Sequence, residues 1–203
     1  MGMAPRSDAK QRMVRAAEQL IRERGYHATA ISDILERSAA PRGSVYFHFP
    51  GGKAQLAVEA GEAHAHQQVA HIDEAAGQAD SAAGLIGAYL DLGRDGMVAS
   101  GYSRGCGIAP LVTEATPEES ADLGATGDRA FAAMADRLAF HFVEFGLDRT
   151  SASQLADAVL AGVEGALITA RARRDPVPFD ATKAALTSYA ATLAPKALPR
   201  RPR

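Results

Sequence analysis

Ala39-Ala40-Pro41-Arg42-Gly43-Ser44-Val45-Tyr46-Phe47-His48-Phe49-Pro50-Gly51-Gly52-Lys53 is the stretch whose reading decides the fold. Pro41 suits the first turn of a helix, where a missing N–H costs nothing. Only about two turns fit before Pro50-Gly51-Gly52 ends them. Val45 and Phe49, four apart, point together into a small core. The other edge carries a guanidinium (Arg42), two hydroxyls (Ser44, Tyr46) and an imidazole (His48). A short rod held from behind, with donors in front, is what a helix that reads DNA requires.

Upstream, the spacing predicts two more helices. Ser7 caps the first, which runs to about Arg24 with Met13, Val14, Ala17, Leu20 and Ile21 on one face. Gly25 ends it and Tyr26 folds back onto the core. Thr29 caps the second, which carries Ile31, Ile34 and Leu35. Three short helices make a small domain, so they lean on a long fourth helix from Gly52 or Lys53 to about Ala76. Beyond it the expected helices are Ser81–Val98, Ile108–Ala115, one started by Thr116-Pro117 and ended at Gly146, one capped by Thr150 or Ser151, and Asp180–Leu193. No segment alternates for long. The expectation is an all-α chain of about nine helices.

Charge is distributed unevenly. The formal net charge is −2. Residues 1–53 nevertheless carry nine Lys/Arg against five Asp/Glu, and the remainder thirteen against nineteen. A basic head on an acidic body fits DNA contact at one end only. The single cysteine, Cys106, excludes an internal disulfide and a multi-thiolate metal site. There is no apolar run long enough for a membrane span and no signal core, which points to a cytoplasmic protein. No catalytic triad or phosphate loop is recognisable, so no enzyme activity and no cofactor is expected. An all-helical small-molecule-binding protein or enzyme is the rival reading.

The run ILERSAA followed by PRGSVYFHFPGGK resembles the helix-turn-helix of the tetracycline-repressor-like (TetR) transcriptional regulators. It is closest to the LmrA/YxaF-like branch. One position departs from the family, whose turn usually carries Gly; here Ala39 or Ala40 must serve. The resemblance implies an N-terminal DNA-binding domain (1–52), a ligand-binding and dimerisation domain (53–195) and a frayed tail (196–203). Its implied DNA contacts fall on Thr29, Arg42, Gly43, Ser44, Tyr46, His48 and Lys53. Arg42 is the candidate for direct readout, because a guanidinium bonds guanine bidentately. Thr29 and Lys53, each at a helix start, are the candidates for phosphate.

The resemblance also implies an effector pocket in the body, for a planar or hydrophobic small molecule. Tyr89, Met97, Ile108, Leu111, Phe131, Met134 and Leu138 are its candidate lining. GCGIAP resembles a Gly-Cys segment of the same branch and reads as a tight turn. A homodimer on a palindromic operator follows, because one helix-turn-helix covers too few base pairs. Leu155, Val159, Gly162, Val163, Ala166, Leu186 and Tyr189, on the last two helices, are the candidate interface. The alternative is that this face packs on its own body. His64, His66 and His71 give the fourth helix a polar face rather than a metal site, since 64 and 71 share a face and 66 does not.

Overall fold

The computed structural model describes residues 6–193, apart from the side chains of Arg6, Ser7 and Ser120. The expected N-terminal arm and C-terminal tail lie outside what it describes, and Ser7 falls within the first helix rather than capping it. Among the described residues there are nine helices and no strand. They are α1 (Arg6–Arg24), α2 (Ile31–Ser38), α3 (Ser44–His48), α4 (Gly52–Gly77), α5 (Ala82–Ala99), α6 (Ala109–Thr113), α7 (Ser120–Glu144), α8 (Arg149–Arg173) and α9 (Val177–Leu193). None is long and apolar enough to cross a membrane.

Two apolar clusters organise them. The head cluster joins Met13, Leu20 and Ile21 of α1 with Tyr26, Ile34 of α2 and Val45 and Phe49 around α3. It continues into Leu56, Ala57 and Ala60 of α4, Leu111 of α6 and Leu123 of α7. A boundary at 52/53 therefore cuts beside the helix that completes the head's own core. The body cluster is built from α5, α7, α8 and α9, with Leu85, Leu90, Leu138, Phe142, Leu155 and Phe179 among its fully buried members. Helix α4 packs on both α1 and α7, and so belongs to both halves.

Local sequence explains most of the boundaries. Gly25 takes φ +90° and closes α1. Ser81 caps α5 by accepting from the Gly84 N–H at 3.1 Å. Gly146, at φ +95°, follows α7. Several starts differ from the sequence reading. Helix α3 begins at Ser44, because the Pro41 carbonyl accepts the Ser44 N–H at 2.9 Å and Ser44 Oγ at 2.6 Å in a turn that precedes it. Helix α7 begins after Glu119, because Glu119 turns its carboxylate back onto Thr116, whose hydroxyl donates at 3.2 Å. Asp148, rather than Thr150 or Ser151, caps α8 and accepts the Ser151 N–H at 3.0 Å. Helix α9 starts at Val177 rather than Asp180, with Pro178 tolerated in its first turn.

Candidate DNA interface and body cavity

Helix α3 has five residues, far too few to persist alone. It is fixed by Val45 and Phe49, which are completely buried in the head cluster. Burying two such side chains contributes about 3–6 kcal/mol, enough to hold one short helix against the head. With 45 and 49 turned in, the intervening residues face out. Tyr46 is 66 % exposed and Phe47 70 %. Arg42 and Gly43 are exposed on the preceding turn, and Ser44 and His48 are half-buried at its edge. Space around Gly43 is open enough that a backbone of a second molecule can approach it.

The turn before α3 is made without the glycine usual in the family. Ala39 takes φ 51°, ψ 35°, and its N–H reaches the Glu36 carbonyl at 3.2 Å while that of Ala40 reaches Leu35 at 3.1 Å. An alanine bears this left-handed conformation at a cost of about 1–2 kcal/mol.

Charges on the head are mostly paired internally. Lys10 meets Glu59 at 2.8 Å, Arg24 meets Asp33 at 2.7 Å and Arg37 meets Glu23 at 2.7 Å. Arg12 pairs with Asp8 and donates to the Ser38 carbonyl at 3.0 Å, tying the end of α2 to α1. Arg42 has no such partner among the described residues and is exposed on the turn that leads into α3.

Two of the expected phosphate contacts are placed otherwise. Thr29 is buried; its hydroxyl donates to the Gly25 carbonyl at 2.7 Å and its N–H to Tyr26 at 3.1 Å. It braces the corner between α1 and α2, the N-cap of α2 is Ala30, and neither donor of Thr29 is open to a phosphate. Lys53 does stand at the start of α4, but its ammonium donates to the His27 carbonyl at 3.2 Å and lies 4.3 Å from the centre of the Tyr26 ring. Partial burial lowers its pKa, against the pull of Glu119 and Glu114. Phe47 was not among the expected contacts. The same spacing that turns Val45 and Phe49 inward would have found it.

Behind the head, a cavity of about 540 Å³ opens in the body. Helix α4 supplies His64, Gln67, Gln68 and His71 to its wall; α5 supplies Tyr89, Leu92 and Met97. The loop after α5 adds Arg104 and Cys106, α7 adds Met134, and α8 adds Val163, Glu164 and Leu167. Of the expected lining, Tyr89, Met97, Ile108 and Met134 are there. Leu111 is not, because α6 turns it into the head cluster. Leu138 is buried in the body core, and Phe131 borders a separate depression between α7 and α8.

The cavity wall is also the joint between the two halves. His64, on α4, is buried and its Nδ1 lies 3.0 Å from Glu18 Oε1 on α1. Burial depresses the His64 pKa, only partly offset by Glu18. Burial also presses the Glu18 carboxyl upward, but His64 and Arg22 outweigh it and hold it below the usual range. Arg22 donates from Nε to the Gly105 carbonyl at 3.0 Å, and the Gly105 N–H returns to the Arg22 carbonyl at 2.9 Å. On the far side, Glu114 accepts the His27 N–H at 2.9 Å and Glu119 accepts from the Tyr26 hydroxyl at 2.6 Å. The corner after α1 is thus gripped by the body through several polar contacts that the sequence reading did not anticipate.

Cys106 is occupied rather than reactive. Its sulfur accepts the N–H groups of Ile108 and Ala109, both at 3.3 Å, which fits the expected tight turn. Burial pushes its thiol up to about 12, so the nucleophilic thiolate is disfavoured. Among the described residues no group of three or more His, Cys, Asp or Glu side chains is placed to hold a metal ion. His64 and His71 share the cavity wall, whereas His66 faces solvent.

Most of the expected dimer face is turned the other way. Leu155, Val159 and Ala166 are buried in their own body core. Gly162 lets α9 approach α8, since a Cβ there would stand 2.9 Å from Thr182 and 3.0 Å from Leu186 of the same chain. Val163 lines the cavity, Leu186 packs on the body core and Tyr189 remains exposed. Among the residues α8 leaves outward are Ala161, Gly165, Ile168 and Ala172, which share one face at helical spacing, with Ile168 66 % exposed.

Comparison with known proteins agrees with this architecture. Residues 13–60 match the family described as bacterial regulatory proteins, tetR family. Residues 82–185 match the C-terminal domain of LmrA/YxaF-like transcriptional regulators. The uncharacterized HTH-type transcriptional regulator Rv0196 of Mycobacterium tuberculosis is 40% identical over 175 residues, covering 84% of this chain and 88% of that protein. The crystal structure of a regulatory protein TetR from Rhodobacter sphaeroides superposes with a TM-score of 0.79 at 25% identity, covering 89% of this chain and 98% of that one. CifR, solved as a cysteine mutant with a 26 bp double-strand operator DNA, shares the fold at a TM-score of 0.74 and 18% identity, covering 93% and 97% of the two chains. Head, cavity and sequence together make this chain a member of the TetR family of DNA-binding transcriptional regulators, of the LmrA/YxaF-like branch, and not an enzyme.

Proposed function

We propose that this regulator is a homodimeric repressor, released from a palindromic operator when a small apolar or aromatic effector fills the body cavity. The observation that carries the reading is the shared wall. His64 and Arg22 line the cavity and also hold α1 of the head, through Glu18 and through Gly105. A molecule entering there meets the groups that set the angle between head and body. It releases DNA only to the extent that it binds the released arrangement more tightly. Arg42, Tyr46 and Phe47 form the reading edge, with Ser44 and His48 at its margin. Thr29 acts as a brace, and Lys53 reaches phosphate only by leaving His27.

Two copies meet, in this reading, through the outward stripe of α8 and the exposed side of α9 around Tyr189, as a four-helix interface. The inward residues of α8 serve the monomer's core. The test is binding of the full chain to the DNA upstream of its own gene, against Ile168→Glu. The wild type should sediment as a dimer and bind that DNA with an affinity that falls steeply with salt. Ile168→Glu should fold, sediment as a monomer and bind about a hundredfold more weakly, as expected when two linked contacts become one. Wild-type affinity in a monomeric Ile168→Glu would contradict the reading.

A further inference from the structure

One wall of the cavity carries a carboxylate without a counter-charge. Glu164 lines the cavity from α8, together with Cys106 and Tyr89, and no ion pair engages its carboxylate among the described residues. It is the sole acid in the lining. The two arginines of the lining are already matched: Arg22 lies 3.4 Å from Glu18 and Arg104 lies 3.3 Å from Glu23. Largely shielded from water, Glu164 is disfavoured as an anion, and burial raises its pKa.

Its neighbours in the lining are poor donors for a ligand. The Tyr89 hydroxyl donates to Gln68 Oε1 at 3.3 Å, which leaves the phenolic oxygen as an acceptor. The Cys106 sulfur already accepts two backbone N–H groups, and a thiol is only a weak donor. What this end of the cavity offers is negative charge and lone pairs. A guest suited to it brings positive charge and N–H groups. The rest of the wall, with Leu92, Met97, Ile108, Met134 and Leu167, suits an apolar or aromatic body.

We infer that the cavity takes a cationic amphiphile, a bulky apolar or aromatic body bearing a protonated amine, with the amine seated on Glu164. The inference rests on the reading of the cavity as the effector site and narrows its chemistry. Pairing supplies the counter-charge the chain withholds, and a charge-assisted hydrogen bond in a shielded place is among the stronger single contacts. A neutral guest of the same shape leaves the carboxylate unpaired or obliges it to take up a proton.

The experiment compares dansylcadaverine, an aromatic body with a primary amine, with its neutral N-acetyl derivative, by fluorescence titration of the full chain. The wild type should prefer the amine by about tenfold or more, the weight of one charge-assisted contact. Glu164→Gln, which keeps the shape, and Glu164→Leu, which removes the polarity, should both abolish that preference. Both variants should remain folded and keep upstream-DNA binding, because Glu164 is not among the residues that join the head to the body. Equal binding of the two probes by the wild type, binding of neither, or an amine preference that survives both substitutions would overturn the inference. The effector reading fails separately: a Glu164-dependent preference without any weakening of the DNA complex would keep the cationic site and discard the release mechanism.

Discussion

His64 is the residue on which head and body lean together. Its ring is packed against Gly107 on one side and bonded to Glu18 on the other. Because burial depresses its pKa, the folded chain holds it neutral while the unfolded chain takes up a proton near its ordinary value. The stability it confers is therefore fully present above the unfolded pKa of about 6.5 and is lost as pH falls toward the folded value. Glu18, also depressed, extends the loss further into acid. Glu164, raised, works the other way. The difference between wild type and His64→Asn isolates the histidine. Melting temperature should fall more steeply between about pH 7.5 and 5.5 in the wild type than in His64→Asn. Parallel curves would mean that the ring is not held neutral by its surroundings. From sequence His64 could be placed on a polar face with His71, but not beside Glu18. That pairing spans 46 residues, and helical spacing carries no information across such a distance.

At the scale of elements, the sequence was most informative where one residue type forces one geometry. Glycines at positive φ after α1 and α7 and the Val45–Phe49 pair were each legible, and each is where the spacing put it. Errors arose where a side chain had a choice of partner. Thr29 chose the Gly25 carbonyl over the α2 terminus, and Glu119 chose Tyr26 and Thr116 over continuing a helix from Pro117. The faces of α6 and α8 were ambiguous for a related reason. Periodicity defines an apolar stripe but not which neighbour covers it, so Leu111 went to the head and Val159 to the chain's own core. The loop between α5 and α6 shows how closely elements must meet. A Cβ on Gly107 would stand 2.8 Å from the His64 ring, a rigid group with no room to turn aside. Gly107→Ala should lower stability by about 1–3 kcal/mol, the usual cost of overpacking a filled site, read as a shift in the denaturation midpoint. It should also flatten the same pH dependence that His64→Asn flattens. A variant as stable as the wild type would show that the loop is free to move away.

At the scale of the molecule, a basic head and an acidic body are joined by α4 and by the polar grip on the corner after α1. The fold, the reading helix and the basic end were all legible in the sequence, because α3 is bracketed by proline and glycine and its inward residues are four apart. The effector cavity was legible only in part, since its walls come from five separate elements. The joint between halves was not legible at all, because its members, on α1, α4 and the loops, are far apart in the chain and meet only in the fold. The central claim is that α3 and the turn before it present Arg42, Tyr46 and Phe47 outward to DNA while the body holds two such heads together. It is tested most directly by titrating upstream DNA with full-length Tyr46→Ala beside the wild type, with sedimentation of both. Tyr46 is exposed, so the variant should melt like the wild type and remain a dimer, yet lose at least about tenfold in affinity, the worth of a contact of 1–3 kcal/mol made in each half-site. Undiminished binding by a folded, dimeric Tyr46→Ala would contradict the account.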